Sequence, residues 1–303
     1  MRLHVSRIDA WLLLMTLIWG ANFTVVKLVI HDIPPLAFNS LRLLVAAAVF
    51  FAAMPWDPGR TEGPSRPWLT RAEWVHVVAL GFIGQFLYQL CFLAALERTT
   101  VAINSLVFAC TPIVVGLISR ALGHDRVQAT VWVGGAVSLA GIYLVMGHDM
   151  RAGAGSMRGN VLAIAAMLCW ALYSVGTKPL LQRRSPLVIT GYAMAFGAVM
   201  YLPVAWPTLL HLSWRTIGWA SWAGLLWSAA FSFCLAYLIW YTAIQRIGTT
   251  HTSMYSNVTP IVAMLIAAVW LGEPVTATKI VGAVAVLAGV AVTKIEIGTP
   301  LEA

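Results

Sequence analysis

The 303-residue sequence predicts an all-α membrane protein of ten transmembrane helices, laid out as two inverted five-helix repeats that form a basket around a central cavity. Three observations carry that prediction: an apolar composition, runs long enough to cross a bilayer, and self-similarity at half the chain length. Hydrophobic residues make up 60% of the chain and charged residues 10%, with a mean hydropathy of +0.83. A soluble domain carries roughly 25% charged residues, so a water-soluble fold is excluded.

A span needs about 20 apolar residues, which gives helices at 8–30, 35–54, 73–96, 101–121 and 127–146 in the first half. The second half gives 159–181, 187–206, 217–244, 250–271 and 275–294. The first run has no small-residue cleavage site and is too long for a signal-peptide core, so it is expected to stay in the mature protein. The run LIWGANFTVVK at 17–27 has its counterpart in LCWALYSVGTK at 168–178, and 88–112 lines up with 237–260 after one single-residue gap. Further on, Val133-Gly134 with Gly141 matches Val281-Gly282 with Gly289. Composition alone would supply matched Leu, Ala, Val and Gly. It does not supply Trp19 with Trp170, Lys27 with Lys178, Tyr88 with Tyr237, or the Thr-Pro pairs that end in Pro112 and Pro260. Internal repeats in an apolar chain are the mark of a transporter fold.

The repeats are therefore placed at 8–147 and 158–295, joined by a polar, Gly-rich linker at 148–157 within one bundle. Five helices per repeat is an odd number, so the second repeat enters the membrane from the opposite side. Apart from Arg42, the Lys and Arg residues fall at alternate helix ends, twelve on one side and six on the other. That bias puts both termini in the cytoplasm.

Other classes are poorly served. The net charge of +8 sits in short loops, where it sets topology, so nucleic-acid binding is not expected. The cysteines Cys91, Cys110, Cys169 and Cys234 lie in apolar runs without CxxC spacing and favour neither a disulfide framework nor a metal site. A polytopic membrane enzyme would need HExxH, GxSxG or paired intramembrane carboxylates, and ATP-driven transport a GxxxxGK loop. The chain has none of these, and no cofactor is expected.

The first helix carries Trp19-Gly20-Ala21-Asn22-Phe23 and then Lys27; the second carries Pro35 and Leu41-Arg42-Leu43-Leu44. Next come Ala94-Ala95-Leu96, Thr99-Thr100 and Thr111-Pro112, and the ninth helix ends Leu271-Gly272-Glu273-Pro274-Val275-Thr276. In this order, in both repeats, the motifs resemble the EamA family of the drug/metabolite transporter superfamily over nearly the whole chain. One departure is Leu122-Gly123-His124-Asp125, where the family usually shows Leu-Gly-Glu. The resemblance implies a basket-like transporter of small metabolites, often an amino-acid exporter, in a bacterial inner membrane.

Polar and aromatic residues at i, i+3, i+4 and i+7 share a helix face, and such faces avoid lipid. The first helix groups Trp19, Asn22 and Phe23, and its counterpart groups Trp170, Tyr173, Ser174 and Thr177. The third groups Gln85, Tyr88, Gln89 and Phe92, and the eighth offers Tyr237, Tyr241 and Gln245. The fourth carries Asn104, Ser105, Phe108 and Thr111; the ninth carries Ser253, Ser256 and Asn257. Aromatic rings with uncharged amides and hydroxyls suit a small zwitterion or a neutral metabolite, while the plain alternative for each residue is helix packing.

Arg42 alone among the basic residues lies well inside a span. It is expected to face the bundle interior, pairing with a substrate carboxylate or gating the vestibule, or else bonding helix-end carbonyls or Asp32. Pro112 and Pro260 are repeat-matched breaks suited to hinges. Gly134, Ser138 and Gly141 on the fifth helix, with Gly282, Ala285 and Gly289 on the tenth, give packing faces for a scaffold or a homodimer contact. With no Asp or Glu at mid-membrane, gradient-driven efflux by rocking of the repeats is expected, without a carboxylate for proton coupling. The competing substrates are nucleotide sugars, phosphate esters or drugs; a channel or sensor is the competing role.

Overall fold

The computed structural model describes residues 6–57, 69–98, 107–108, 110–123, 129–151, 156–271 and 276–292. All regular structure among them is helical. Helix α1 is Arg7–Val29, α2 is Pro35–Ala53, and α3 begins as Arg71–Gly81, passes through the π-helical turn Phe82–Leu87 and ends as Tyr88–Leu96. Helix α4 is Thr111–Ala121, α5 Ala129–Arg151, α6 Met157–Leu181 and α7 Pro186–Leu210. Helix α8 runs from Trp219–Trp227 through π-helical Ser228–Leu235 into Ala236–Ile247. Helix α9 comprises Thr249–Met254, a 3-10 turn Tyr255–Val258 and Thr259–Leu271; α10 is Ala277–Val292.

Among the described residues, seven of these helices (α1, α2, α3, α6, α7, α8 and α9) are long and apolar enough to cross a membrane. Shorter apolar helices lie in α4, α5 and α10. Residues 101–106 and 109 of the expected fourth span fall outside the described residues, as do 152–155 of the 148–157 linker.

Local signals place the helix ends. Ser6 with Asp9 and Thr70 with Glu73 form capping boxes that satisfy the first backbone N–H groups of α1 and α3. Ser156 and Ser185 cap α6 and α7, and Pro35 and Pro186 occupy the first turn, where no N–H is needed. Gly248, at φ +83°, ends α8 and starts α9 with no intervening loop, a backbone state open to glycine.

Packing contacts recur in exchanged pairs. A Cβ on Gly141 of α5 would lie 2.6 Å from the Gly282 carbonyl of α10, and one on Gly289 of α10 would lie 2.5 Å from the Gly134 carbonyl of α5. Helices α5 and α10 therefore run antiparallel with their backbones touching. Gly20 of α1 lies against Val262 of α9, while Ala171 of α6 shares an apolar cluster with Val114 and Val115 of α4. The small-residue faces of α5 and α10 are spent on each other within the chain, and Val133, Val281 and Val284 point outward.

The ends are tied by polar contacts. At one end Arg184, just after α6, grips Glu73 at the start of α3 through two bonds, Nη2 to Oε2 at 2.9 Å and Nε to Oε1 at 3.2 Å. There too Gln245 donates to the Leu181 carbonyl at 2.5 Å, and the Tyr255 hydroxyl donates to Asp9. At the other end Ser221 donates to Asp32 at 2.5 Å, and the Ser156 N–H donates to the Arg98 carbonyl at 2.9 Å. Glu73→Gln should cost about 1 kcal/mol, the scale of a bidentate pair shared with water. Thermal unfolding in detergent checks this, and an unchanged midpoint would mean that the pair adds nothing to stability.

Candidate functional site

The two π-helical turns sit in corresponding places, immediately before Tyr88 in α3 and before Tyr237 in α8. A π turn widens the helix, frees carbonyls from the regular ladder and is frequent at functional sites. One such carbonyl, on Ser232, accepts the Trp19 indole N–H at 3.2 Å. Close approach on the other turn depends on glycine. A Cβ on Gly84 would lie 2.2 Å from Cγ of the Tyr173 ring, and one on Gly197 of α7 would lie 2.1 Å from the Cβ of Gln85. The sequence thus seats α3 against α6 and α7 at mid-bundle.

Around the turns the expected aromatics converge. Trp170 lies with its ring centre 5.4 Å from Tyr88, 5.5 Å from Tyr237, 5.6 Å from Trp240 and 5.7 Å from Trp19. The Trp19–Tyr237 contact, at 6.1 Å, is the exchanged counterpart of Trp170–Tyr88. Tyr173 and Tyr241 stack edge-on at 5.5 Å, next to Trp170 and Tyr237. Trp19, Asn22, Tyr88, Phe92 and Phe108 are only partly buried.

Arg42 joins this cluster. It is 4% exposed, and its guanidinium lies 4.2 Å over the Phe233 ring and 5.0 Å from Phe38. Its Nε donates to Asn39 Oδ1 at 2.8 Å, Nη1 to Ser228 Oγ at 3.2 Å and Nη2 to Gln89 Oε1 at 3.3 Å. Ser228 in turn donates to Asn22 Oδ1 at 2.7 Å. One polar chain so links α1, α2 and α3 of the first half to the π turn of α8. Asp32 is not a partner of Arg42, since it accepts from Ser221 near the helix end.

Buried polar groups gather beside the rings: the Gln85 amide neighbours the hydroxyls of Tyr173 and Tyr237, the Tyr241 hydroxyl lies by Tyr173 and Thr177, and the Tyr201 hydroxyl by Asn39. Other expected residues are used locally. Ser253 and Ser256 donate to the carbonyls of Thr250 and Ser253 in their own helix, and Gln245 is held at the Leu181 carbonyl away from the rings. Asn104 and Ser105 lie outside the described residues. Pro260 is the second residue of Thr259–Leu271, directly after the 3-10 turn, and Pro112 the second of Thr111–Ala121.

Asn39, Ser228, Ser232, Phe233 and Trp240 belong to the constellation and were not singled out from the sequence. Asn39 is three residues before Arg42, the spacing that signals a shared face. Ser228 and Ser232 sit in a π turn, where α-helical spacing no longer predicts the face. The arrangement gathers ring faces, neutral amides and hydroxyls, and one cation from both halves of the chain at one place in the bundle.

Comparison with known proteins agrees with this architecture. The model of the EamA-like transporter family matches residues 6–147 and again 157–295. The chain is 28% identical over 300 residues, 94% of each chain, to a Salmonella typhimurium protein named "Probable amino-acid metabolite efflux pump". It is 27% identical to the uncharacterized transporter YyaM of Bacillus subtilis, covering 89% of this chain and 88% of that one. A solved structure shares the fold at a TM-score of 0.74 and 20% identity, over 94% of this chain and 96% of the other.

Proposed function

The chain belongs to the EamA-like transporter family, and from that premise we propose that it exports small metabolites such as neutral amino acids by alternating access. The observation that carries the proposal is the aromatic and amide centre built from both halves, Trp19 and Tyr88 meeting Trp170 and Tyr237. In this reading α4, α5 and α10 also span, giving ten helices in two inverted repeats. The antiparallel contact of the matched helices α5 and α10 supports it, because equivalent helices that run in opposite directions require inverted halves.

Transport then consists of rocking one half against the other around the ring cluster, with Pro112 and Pro260 as hinges. A 3-10 stretch before Pro260 supports that role, since it marks a break in the helix. The protein sits in the bacterial inner membrane with both termini cytoplasmic, by the bias of basic residues. A homodimer through α5 and α10 would use their outward valines. Amino-acid metabolite efflux is what the name of the Salmonella relative says of that protein.

The test is counterflow in proteoliposomes loaded with one unlabelled amino acid at a time and offered the labelled form outside. Saturable exchange above empty liposomes is the expected result. No exchange of any amino acid would remove this substrate class and redirect the search to nucleotide sugars, phosphate esters or drugs; non-saturable flux would indicate a channel.

A further inference from the structure

Arg42 is a mid-membrane cation whose three hydrogen bonds all end on neutral oxygens, and no carboxylate among the described residues pairs with it. An Arg buried at mid-helix persists where a counter-charge or a dense set of acceptors holds it. Here the acceptors are incomplete. A guanidinium has five N–H donors; the structure occupies three, leaving one on each terminal nitrogen. The occupied bonds are unequal too. Asn39 accepts at 2.8 Å, a normal charge-assisted length, whereas Ser228 and Gln89 lie at 3.2 and 3.3 Å, which is long for such bonds.

We propose that Arg42 binds the carboxylate of the transported molecule, and that Ser228 and Gln89 are placeholders which that carboxylate displaces. The inference rests on the carrier reading and narrows its substrate to small monocarboxylates, zwitterions included. Phe233 connects the guanidinium to the aromatic centre, 4.2 Å from Arg42 Cζ and 5.5 Å from the Tyr237 ring. A carboxylate on Arg42 therefore leaves the remainder of a molecule of amino-acid size against Tyr237 and Trp170. A phosphate dianion would need a second cation, and every other Lys and Arg falls toward a helix end.

Displacement also carries a conformational consequence. The Ser228 contact joins α2 of one half to the π turn of α8 in the other, and Ser228 keeps its bond to Asn22 when Arg42 leaves it. Occupancy thus exchanges one of the two ties that Ser228 makes to the other half, the one to α2, for a tie to substrate, while the tie to α1 stays.

The experiment is equilibrium binding and counterflow on the whole protein in lipid with L-leucine, its amide, and 4-methylpentanoate, the acid lacking the amine. Leucine and 4-methylpentanoate should bind, with the amide weaker by about 30-fold or more, the scale for leaving a buried charge unpaired. Arg42→Gln should abolish the preference of acid over amide, and Arg42→Lys should keep part of it. Gln89→Leu should tighten binding of the acids, because a competing acceptor is removed; a purely structural Gln89 would give weaker or unchanged binding. Equal handling of amide and acid by the native protein, or a preference unaltered in Arg42→Gln and Gln89→Leu, would overturn the inference and leave the carrier standing. Absence of binding and flux for all three, with saturable exchange of a compound that bears no carboxylate, would also overturn it; absence of exchange for every compound would remove the carrier reading itself.

Discussion

Trp170→Phe should lower saturable counterflow by about tenfold or more while the protein stays folded. Trp170 is the hub of the ring cluster, within 6.1 Å of Trp19, Tyr88, Tyr173, Tyr237 and Trp240 by ring centres. Each well-placed aromatic pair contributes about 0.5–1.5 kcal/mol. A smaller ring loses two or three of these at once, and any ligand seated on the indole loses them as well. Phenylalanine fills most of the space, whereas alanine would add a core penalty of about 3–5 kcal/mol and confuse binding with folding. Initial counterflow rates, set beside the thermal midpoint, separate the two. Unchanged flux in Trp170→Phe would put the site elsewhere.

Gly197→Val should prevent accumulation of folded protein. The added Cβ would overlap Gln85, whose own backbone lies within 3.1 to 3.2 Å of that position, so neither side can yield. Overpacking costs typically 1–3 kcal/mol where side chains can shift, and more here because helix backbones must separate. Gly84→Val should fail in the same way against Tyr173. The control is Gly135→Ala, whose new Cβ would meet only Ile113 at 3.6 Å and should be tolerated. Monodispersity after detergent extraction reads all three. A well-folded Gly197→Val would mean that α3 and α7 are not held at this distance in the membrane.

The helical fold was legible from run length and from the repeats, since a bilayer forces backbone polar groups into internal hydrogen bonds. Trp19, Tyr88, Trp170 and Tyr237 were legible because helical spacing and the repeat match pointed to the same residues. The π turns were not, for nothing in FIGQFL or SAAFSFCL departs from ordinary helix composition. That is why Ser228, Ser232 and Phe233 escaped notice: a wider turn rotates residues off the face that α-helical periodicity assigns. Ser253 and Ser256 add a local feature that spacing does not show, since their hydroxyls donate to carbonyls of their own helix. Short-range bonding of this kind is always open to serine and leaves no trace in spacing. Of the alternatives open for Arg42, the Asp32 pairing is not formed, because Asp32 accepts from Ser221 near the helix end.

The most direct test of alternating access is labelling of two single cysteines in a protein stripped of its native ones. Leu181→Cys reports the end held by Glu73 and Arg184, and Ser221→Cys the end held by Asp32; both positions are buried here. Saturating substrate should change the two labelling rates in opposite directions, one mouth closing as the other opens. Rates that rise or fall together, or that stay fixed while flux proceeds, would contradict a carrier that rocks between its two halves.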